Sequence, residues 1–205
     1  MKRWLLAGGV ALLAGCATLP PATPVAHPQA IWRAHLRRLG ALHTYALRAA
    51  VAVRAQGRGG SLHLHWRQRG AAMDLAGYGP LGGLVFRLRA DRHGAVLATG
   101  KGVRRAADAE DLLARLTGWH LPVTGLRYWI LGEPRPGDRY TYALDRAGRL
   151  QHLRQAGWVV TYRRYRQTTL GLLPVRVDLL HAASAGAPAL HIRMYVSHWS
   201  QGARE

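Results

Sequence analysis

The residues with the clearest chemical capacity lie at the start of the chain. Leu13-Ala14-Gly15-Cys16 closes a run from Trp4 to Ala14 that is apolar or small throughout, and Lys2 and Arg3 precede it. A positive leader, a short apolar stretch and a small-residue cleavage site make a signal peptide, too short to cross a bilayer as a helix. Leu, two small residues and then Cys form a bacterial lipobox. The thiol is needed there because its sulfur takes a diacylglycerol, and the amine freed by cleavage can take a third chain. Cys16 is the single cysteine of the chain. It is the expected lipidation site, and no disulfide can form within the chain. Ala17 follows rather than Asp, which argues for the inner leaflet of a Gram-negative outer membrane.

The remaining polar residues form no reaction centre. Most of the ten acidic residues sit at turns or helix starts, as Asp91, Asp108, Glu110, Asp111, Glu133, Asp138 and Asp145 do. None is paired at a spacing suited to general acid–base work. His63-x-His65 puts two imidazoles on one strand face, but no third ligand of suitable type is near in sequence, so no metal site is expected. Ser61 follows Gly59-Gly60 and precedes Leu62, which is not the Gly-x-Ser-x-Gly elbow of a nucleophile. No catalytic residue, metal or cofactor is assigned, and the chain is not read as an enzyme. A different kind of residue stands out in Tyr78-Gly79-Pro80-Leu81-Gly82-Gly83. Pro80 fixes its own φ and biases Gly79 toward extended geometry, and Gly82 and Gly83 allow a sharp return. Leu81 is the one large apolar side chain at the tip. Either it folds back into a core or something apolar meets it.

These groups must be carried by one domain. The chain has 205 residues, and loss of the first 15 leaves 190, enough for one sizeable core. Residues 1–15 read as signal peptide, 16–29 as lipidated cysteine and Pro-rich tether, and 30–205 as a single domain. The formal charge of +19 drops to +17 when Lys2 and Arg3 leave, and nearly all of it is Arg. Such a balance in a soluble protein suggests nucleic acid. A periplasmic lipoprotein does not meet nucleic acid, so anionic phospholipid or an acidic partner is expected, or a genome that favours Arg on solvated faces.

Pro20, Pro21, Pro24 and Pro28 space the domain from the membrane. Ile31, Trp32, His35, Leu36, Leu39 and Leu42 then recur at helical spacing and predict a helix over 29–43. From Tyr45 the period becomes two: Leu47, Ala49, Val51 and Val53, then Leu62, Leu64 and Trp66, then Leu84, Phe86 and Leu88. Gly-rich turns separate these segments, which predicts an antiparallel meander with one apolar and one wet face. Asp108 caps a helix ended by Gly118, and Pro122 to Leu131 reads as another. Strands follow around Tyr140–Leu144, Leu150–Gln155, Trp158–Tyr162, Val175–Leu179 and Leu190–Val196. About ten or eleven strands and three helices predict a large curved sheet with helices over one face. Trp32, Trp66, Trp119, Trp129, Trp158 and Trp199 are spread through it, as core or as the lining of a greasy pocket.

Taken in order, these segments resemble the LolB family of outer-membrane lipoprotein receptors. The resemblance runs from Cys16 to Trp199. It is carried by Trp32, Ser61-Leu62-His63-Leu64-His65-Trp66, Gly79-Pro80-Leu81-Gly82 and Ala109-Glu110-Asp111-Leu112-Leu113. Further along it includes Leu116-Thr117-Gly118, Leu121-Pro122-Val123, Leu126 to Gly132, Gln155-Ala156-Gly157-Trp158, Leu173-Pro174 and Trp199. Ala49 stands where the family often has Gly. The resemblance implies a mainly β, α+β fold: a half-open antiparallel β-barrel whose three helices cover a hydrophobic cavity, as in the soluble carrier LolA. It implies that triacylated lipoproteins are accepted from LolA and inserted into the outer membrane without ATP, by a monomer. It gives the loop of Pro80, Leu81 and Gly82 the role of membrane targeting. Leu64, Trp66, Phe86, Leu113, Trp129 and Ile130 are the expected acyl-chain lining. Two other classes remain open at this point: a structural or assembly lipoprotein of the outer membrane without transfer activity, and a cell-envelope enzyme.

Overall fold

The computed structural model describes residues 25–55, 57–183 and 188–202. Cys16 and the tether up to residue 24 lie outside the described residues. The chain runs α1 (Pro28–Leu39), β1 (Thr44–Ala55), β2 (Arg58–Arg69), β3 (Ala72–Tyr78), β4 (Leu84–Asp91), β5 (Gly94–Thr99) and β6 (Gly102–Ala106). Then come α2 (Ala109–Thr117), α3 (Val123–Trp129), β7 (Tyr140–Leu144), β8 (Leu150–Gln155), β9 (Trp158–Thr168), β10 (Gly171–His181) and β11 (Leu190–Ser200).

All eleven strands join one open antiparallel sheet in the order β6-β5-β4-β3-β2-β1-β11-β10-β9-β8-β7. The sheet is not closed: β6 and β7 are its free edges. Inward positions alternate with wet ones as period two requires. Along β1, Tyr45, Leu47, Ala49 and Val51 are buried, while Arg48 and Ala50 are exposed. The same face continues through Leu75, Leu88 and Leu97 on one half and Val177, Ile192 and Met194 on the other. Ala49 sits at a bulge: Arg48 pairs with His198 but Ala49 with Val196. The skipped Ser197 turns its hydroxyl to the Arg48 carbonyl at 3.1 Å.

Antiparallel hairpins put the connections at two opposite ends. The β2–β3, β4–β5, β7–β8 and β9–β10 turns share one end with the start of β1. The chain enters there, because the Val25 N–H donates to the Arg146 carbonyl at 2.9 Å. This is the tether end. The β3–β4 loop and the β1–β2, β8–β9 and β10–β11 connections lie at the other, the loop end.

α1 runs along the tether end, with Pro28 and Ile31 against Gly148 and Arg38 against Gly171. It ends at Leu39, short of the expected His43: the Gly40 N–H still reaches the Leu36 carbonyl, but the Ala41 and Leu42 N–H groups turn to carbonyls three residues back, at Arg38 and Leu39. Trp32 is buried, but Ile31 is 42 % exposed instead of joining the core. α2 packs on β4, β5 and β6. Asp108 caps it by accepting the Glu110 N–H at 2.6 Å and the Asp111 N–H at 3.0 Å. Gly118 ends it in the left-handed region at φ 76°.

His35 gives the fold a dependence on pH. Its Nδ1 faces an Arg38 amino group at 2.9 Å and its Nε2 is buried without a partner. Burial first, and the Arg38 charge second, lower its pKa from 6.5 to about 4. The unfolded chain then binds the extra proton, so stability is lost as pH falls from about 6.5 toward about 4. The loss is up to about 3 kcal/mol, and about 1 kcal/mol after screening of a half-buried ring. Urea midpoints at about pH 7 and about pH 5 should differ more for the native chain than for His35→Gln. Equal differences would remove His35 from the account.

Candidate functional site

The β3–β4 loop is built to hold its tip away from the domain. Gly82 donates its N–H to the Gly79 carbonyl at 2.9 Å, and Gly79 donates to the Gly83 carbonyl at 2.8 Å. Pro80 and Leu81 are the two central residues of the turn, and Gly82 follows at φ +86°, a conformation that favours glycine. Leu81 is 101 % exposed, so it does not fold back into the core. Leu84 and Val85 are also more than half exposed, at 57 % and 51 %. The period of β4 places Leu84 inward with Phe86 and Leu88. A bulge between Gly77 and Tyr78 pairs Leu84 with Tyr78, beyond the covered part of the sheet. The tip thus carries three exposed aliphatic side chains on one hairpin, with the Tyr78 ring resting on His65 at 4.8 Å between centroids.

The second feature is the apolar face beneath α2 and α3. Leu64, Trp66, Leu113, Trp129 and Ile130 are buried in one continuous core, and Phe86 is half-buried against it. The Phe86 ring covers Gly77 so closely that an added Cβ would clash with it. Trp129 also reaches a hollow of about 380 Å³ at the loop end, with Trp119, Pro122, Trp158, His181 and Leu190 on its walls. The Trp129 and Trp158 rings lie 6.2 Å apart. This wall draws on four separated segments, and none of them marks it by spacing.

α3 is held over that face by a small set of polar contacts. The Tyr45 hydroxyl donates to the Arg127 carbonyl at 2.8 Å, and the Tyr162 hydroxyl to the Trp129 carbonyl at 2.9 Å. Burial pushes both phenols well above their usual range, so they remain neutral donors. The Trp129 indole N–H donates to Gln155 Oε1 at 2.8 Å. The Arg135 N–H donates to the same oxygen at 2.8 Å, and Gln155 Nε2 donates to the Arg135 carbonyl at 2.7 Å. Glu110 on α2 accepts from the Thr124 N–H at 3.0 Å and from its hydroxyl, which joins the two helices. Among the described residues the buried polar side chains are Gln68 and Gln155, and each accepts from an indole, Trp66 or Trp129. Both are satisfied, as burial of an amide demands.

Among the described residues no group of three or more His, Cys, Asp or Glu could hold a metal ion. His63 and His65 point outward on β2, with His65 against Tyr78. Burial, then the charges of Arg48, His63 and Arg67, lower the His65 pKa.

Comparison with known proteins agrees with this geometry. The family model described as Outer membrane lipoprotein LolB matches residues 43–199. The outer-membrane lipoprotein LolB of Alkalilimnicola ehrlichii is 39% identical over 201 residues, covering 97% of this chain and 96% of that protein. The LolB of Nitrosococcus oceani is 35% identical, with 93% of each chain covered. That of Pseudomonas aeruginosa is 36% identical over 183 residues, covering 87% of this chain and 89% of its own. Among solved structures, a LolA superfamily protein from Nitrosomonas europaea superposes with TM-score 0.50 at 10% identity, covering 84% of this chain and 94% of that one. A DUF1329 family protein from Desulfovibrio piger gives TM-score 0.52 at 7% identity, with 88% and 94% covered. At such identities these two show a shared fold and nothing more. The family match over residues 43–199 and relatives 35–39% identical over most of their length lead to one conclusion: the chain belongs to the LolB family of outer-membrane lipoproteins.

Proposed function

We propose that this protein is an outer-membrane lipoprotein, anchored through acylated Cys16 in the inner leaflet with its domain facing the periplasm. It takes triacylated lipoproteins from the carrier LolA beneath α2 and α3 and inserts them into the outer membrane. It works as a monomer, without catalysis, cofactor or nucleic acid. The observation that carries the reading is the pairing of an apolar face, latched under two short helices, with a fully exposed Leu on a rigid turn. Burying one acyl CH₂ is worth about 0.8 kcal/mol, so a sixteen-carbon chain crossing water would cost on the order of 12 kcal/mol. Shielded hand-over between apolar faces avoids that cost. With no energy source, direction comes from affinity: this protein binds cargo better than the carrier does, and the membrane binds it better still. Helices held by a handful of hydrogen bonds can lift, expose Leu64, Trp66, Phe86, Leu113, Trp129 and Ile130 to acyl chains, and close again.

The test is transfer in solution. A chain lacking residues 1–16 should fold, as judged by circular dichroism and a cooperative melt, and should strip radiolabelled lipoprotein from the carrier without nucleotide. A folded chain that leaves the cargo on the carrier would contradict the reading.

A further inference from the structure

The transfer reading leaves one large feature of the surface without a role: a hollow of about 990 Å³ on the outward face of the β1–β6 half, at the tether end. The register sets Ala46, Arg67, Asp74, Arg89, Val96 and Arg105 in one row across six strands. Ala46 and Val96 are short, so space opens between the long guanidinium arms, with Arg69 and Arg87 on the walls. Among the described residues that line it, five guanidiniums share the hollow with two carboxylates, Asp74 and Asp91.

Those carboxylates are already engaged. Arg87 grips Asp74 with Nε at 2.9 Å from one oxygen and an amino group at 2.6 Å from the other. Arg89 stands farther off, at 3.6 Å. Burial pushes the Asp74 carboxyl up, but the Arg87 hydrogen bond and the charges of Arg87, Arg89 and Arg67 outweigh it and hold it below the usual carboxylate range. Asp91 accepts the His93 N–H at 2.8 Å. Among the described residues no carboxylate lies within ion-pair distance of Arg69 or Arg105. The hollow therefore gathers more cation than its own acids neutralise, on planar forks whose geometry matches phosphate oxygens.

We propose that this hollow binds the phosphates of anionic phospholipid headgroups, giving the domain a membrane contact separate from the Leu81 loop. The proposal rests on the reading of Cys16 as the lipid anchor. The chain docks at Val25 against the β7–β8 turn, on the other half of the sheet but at the same end at which the hollow opens. Nine residue steps from Cys16 span at most about 30 Å. The anchor thus keeps the hollow close to the headgroups, where surface potential draws Arg within roughly a Debye length. The Leu81 loop lies at the opposite end of the strands. Headgroup binding on the outward face lays the domain on its side, so that both ends of β3 meet the bilayer.

The test uses the mature lipidated chain in vesicles and an arginine-selective dicarbonyl, with modification mapped by peptide mass spectrometry. One arm has phosphatidylcholine alone, a second contains phosphatidylglycerol, and a third is phosphatidylcholine with added inorganic phosphate. Arg69, Arg89 and Arg105 should react about fivefold more slowly with phosphatidylglycerol than without it. Arg154 and Arg164, on the far half of the sheet, should not change, and the protection should vanish at about 0.5 M salt. In Arg89→Gln combined with Arg105→Gln, Arg69 should lose its protection while the melting temperature holds. Equal rates in the first two arms would overturn the proposal, as would equal slowing of Arg154 and Arg164. Protection by inorganic phosphate alone would overturn it and assign a soluble anion instead. The same spectra read the acylation of Cys16, and no arm contains cargo, so failure here is distinguishable from failure of the transfer reading.

Discussion

Leu81→Glu is expected to fold, to accept lipoprotein from the carrier, and to fail to deliver it. Leu81 is fully exposed and its side chain supports no packing, so the substitution should change stability by no more than about 0.5 kcal/mol. The apolar face under α2 and α3 is untouched, and uptake should match that of the native chain. Delivery is different if, as proposed, the tip enters the bilayer surface. A Leu buried in lipid gains roughly 1.5–3 kcal/mol, enough to bias docking and release but too little to anchor a domain. A carboxylate there gains nothing and is repelled by anionic headgroups. Delivery to vesicles should fall by about 100-fold, the equivalent of roughly 3 kcal/mol. Followed by flotation of cargo with the vesicles, normal delivery would reduce the loop to a turn. An unfolded variant would mean that Leu81 is core after all.

The largest effect on stability is expected at Gln155. This one amide accepts from the Trp129 indole and the Arg135 N–H, and donates to the Arg135 carbonyl. Gln155→Leu leaves the buried Trp129 indole N–H and the half-buried Arg135 N–H and carbonyl without this partner, the buried group alone costing about 1–3 kcal/mol. A loss of about 3–5 kcal/mol is expected, a melting temperature lower by roughly 10 °C. Because the lost bonds hold α3 down, cargo uptake at a temperature where the variant is folded should be no slower than in the native chain. Slower uptake by the folded variant would show that Gln155 shapes the binding face rather than latching it.

The parts of this fold that could be read from residue order are those where one local rule dominates. Asp108 and Gly118 bracket α2 because capping and left-handed geometry are local chemistry. Period two identifies β1 and β2 because Leu, Val and Trp fall on alternate positions. β3, by contrast, is rich in Ala, Gly and Asp and was not legible by propensity; its neighbours on both sides make it a strand. Strand β9 runs on to the turn at Thr168 through Arg163 to Thr168, mostly polar residues that carry no apolar period, and β10 starts at Gly171, where Leu172, Leu173 and Pro174 form an unbroken apolar run rather than an alternation. Leu84 misled because a bulge set by Gly77 and Phe86 moves it out of register with the core, and bulges leave no mark on periodicity.

The site divides along the same line. Pro80, Leu81 and Gly82 were legible because turn chemistry is local and a single large apolar residue stands among glycines. The latches were not, since Tyr45, Tyr162 and Gln155 lie 82, 33 and 26 positions from their partners on α3. The same is true of the hollow beside Trp129, which joins the α2–α3 connection to the ends of β9, β10 and β11.

Acyl chains lying beneath α2 and α3 should be within reach of photocrosslinking from a bound lipoprotein. Cargo carrying a photoreactive group on an acyl chain is transferred from the carrier, irradiated, and digested for mass spectrometry. Crosslinks should fall on several of Leu64, Trp66, Phe86, Leu113, Trp129 and Ile130. Crosslinks confined to the outward face, at Arg48, Arg67 or Arg89, would contradict the account.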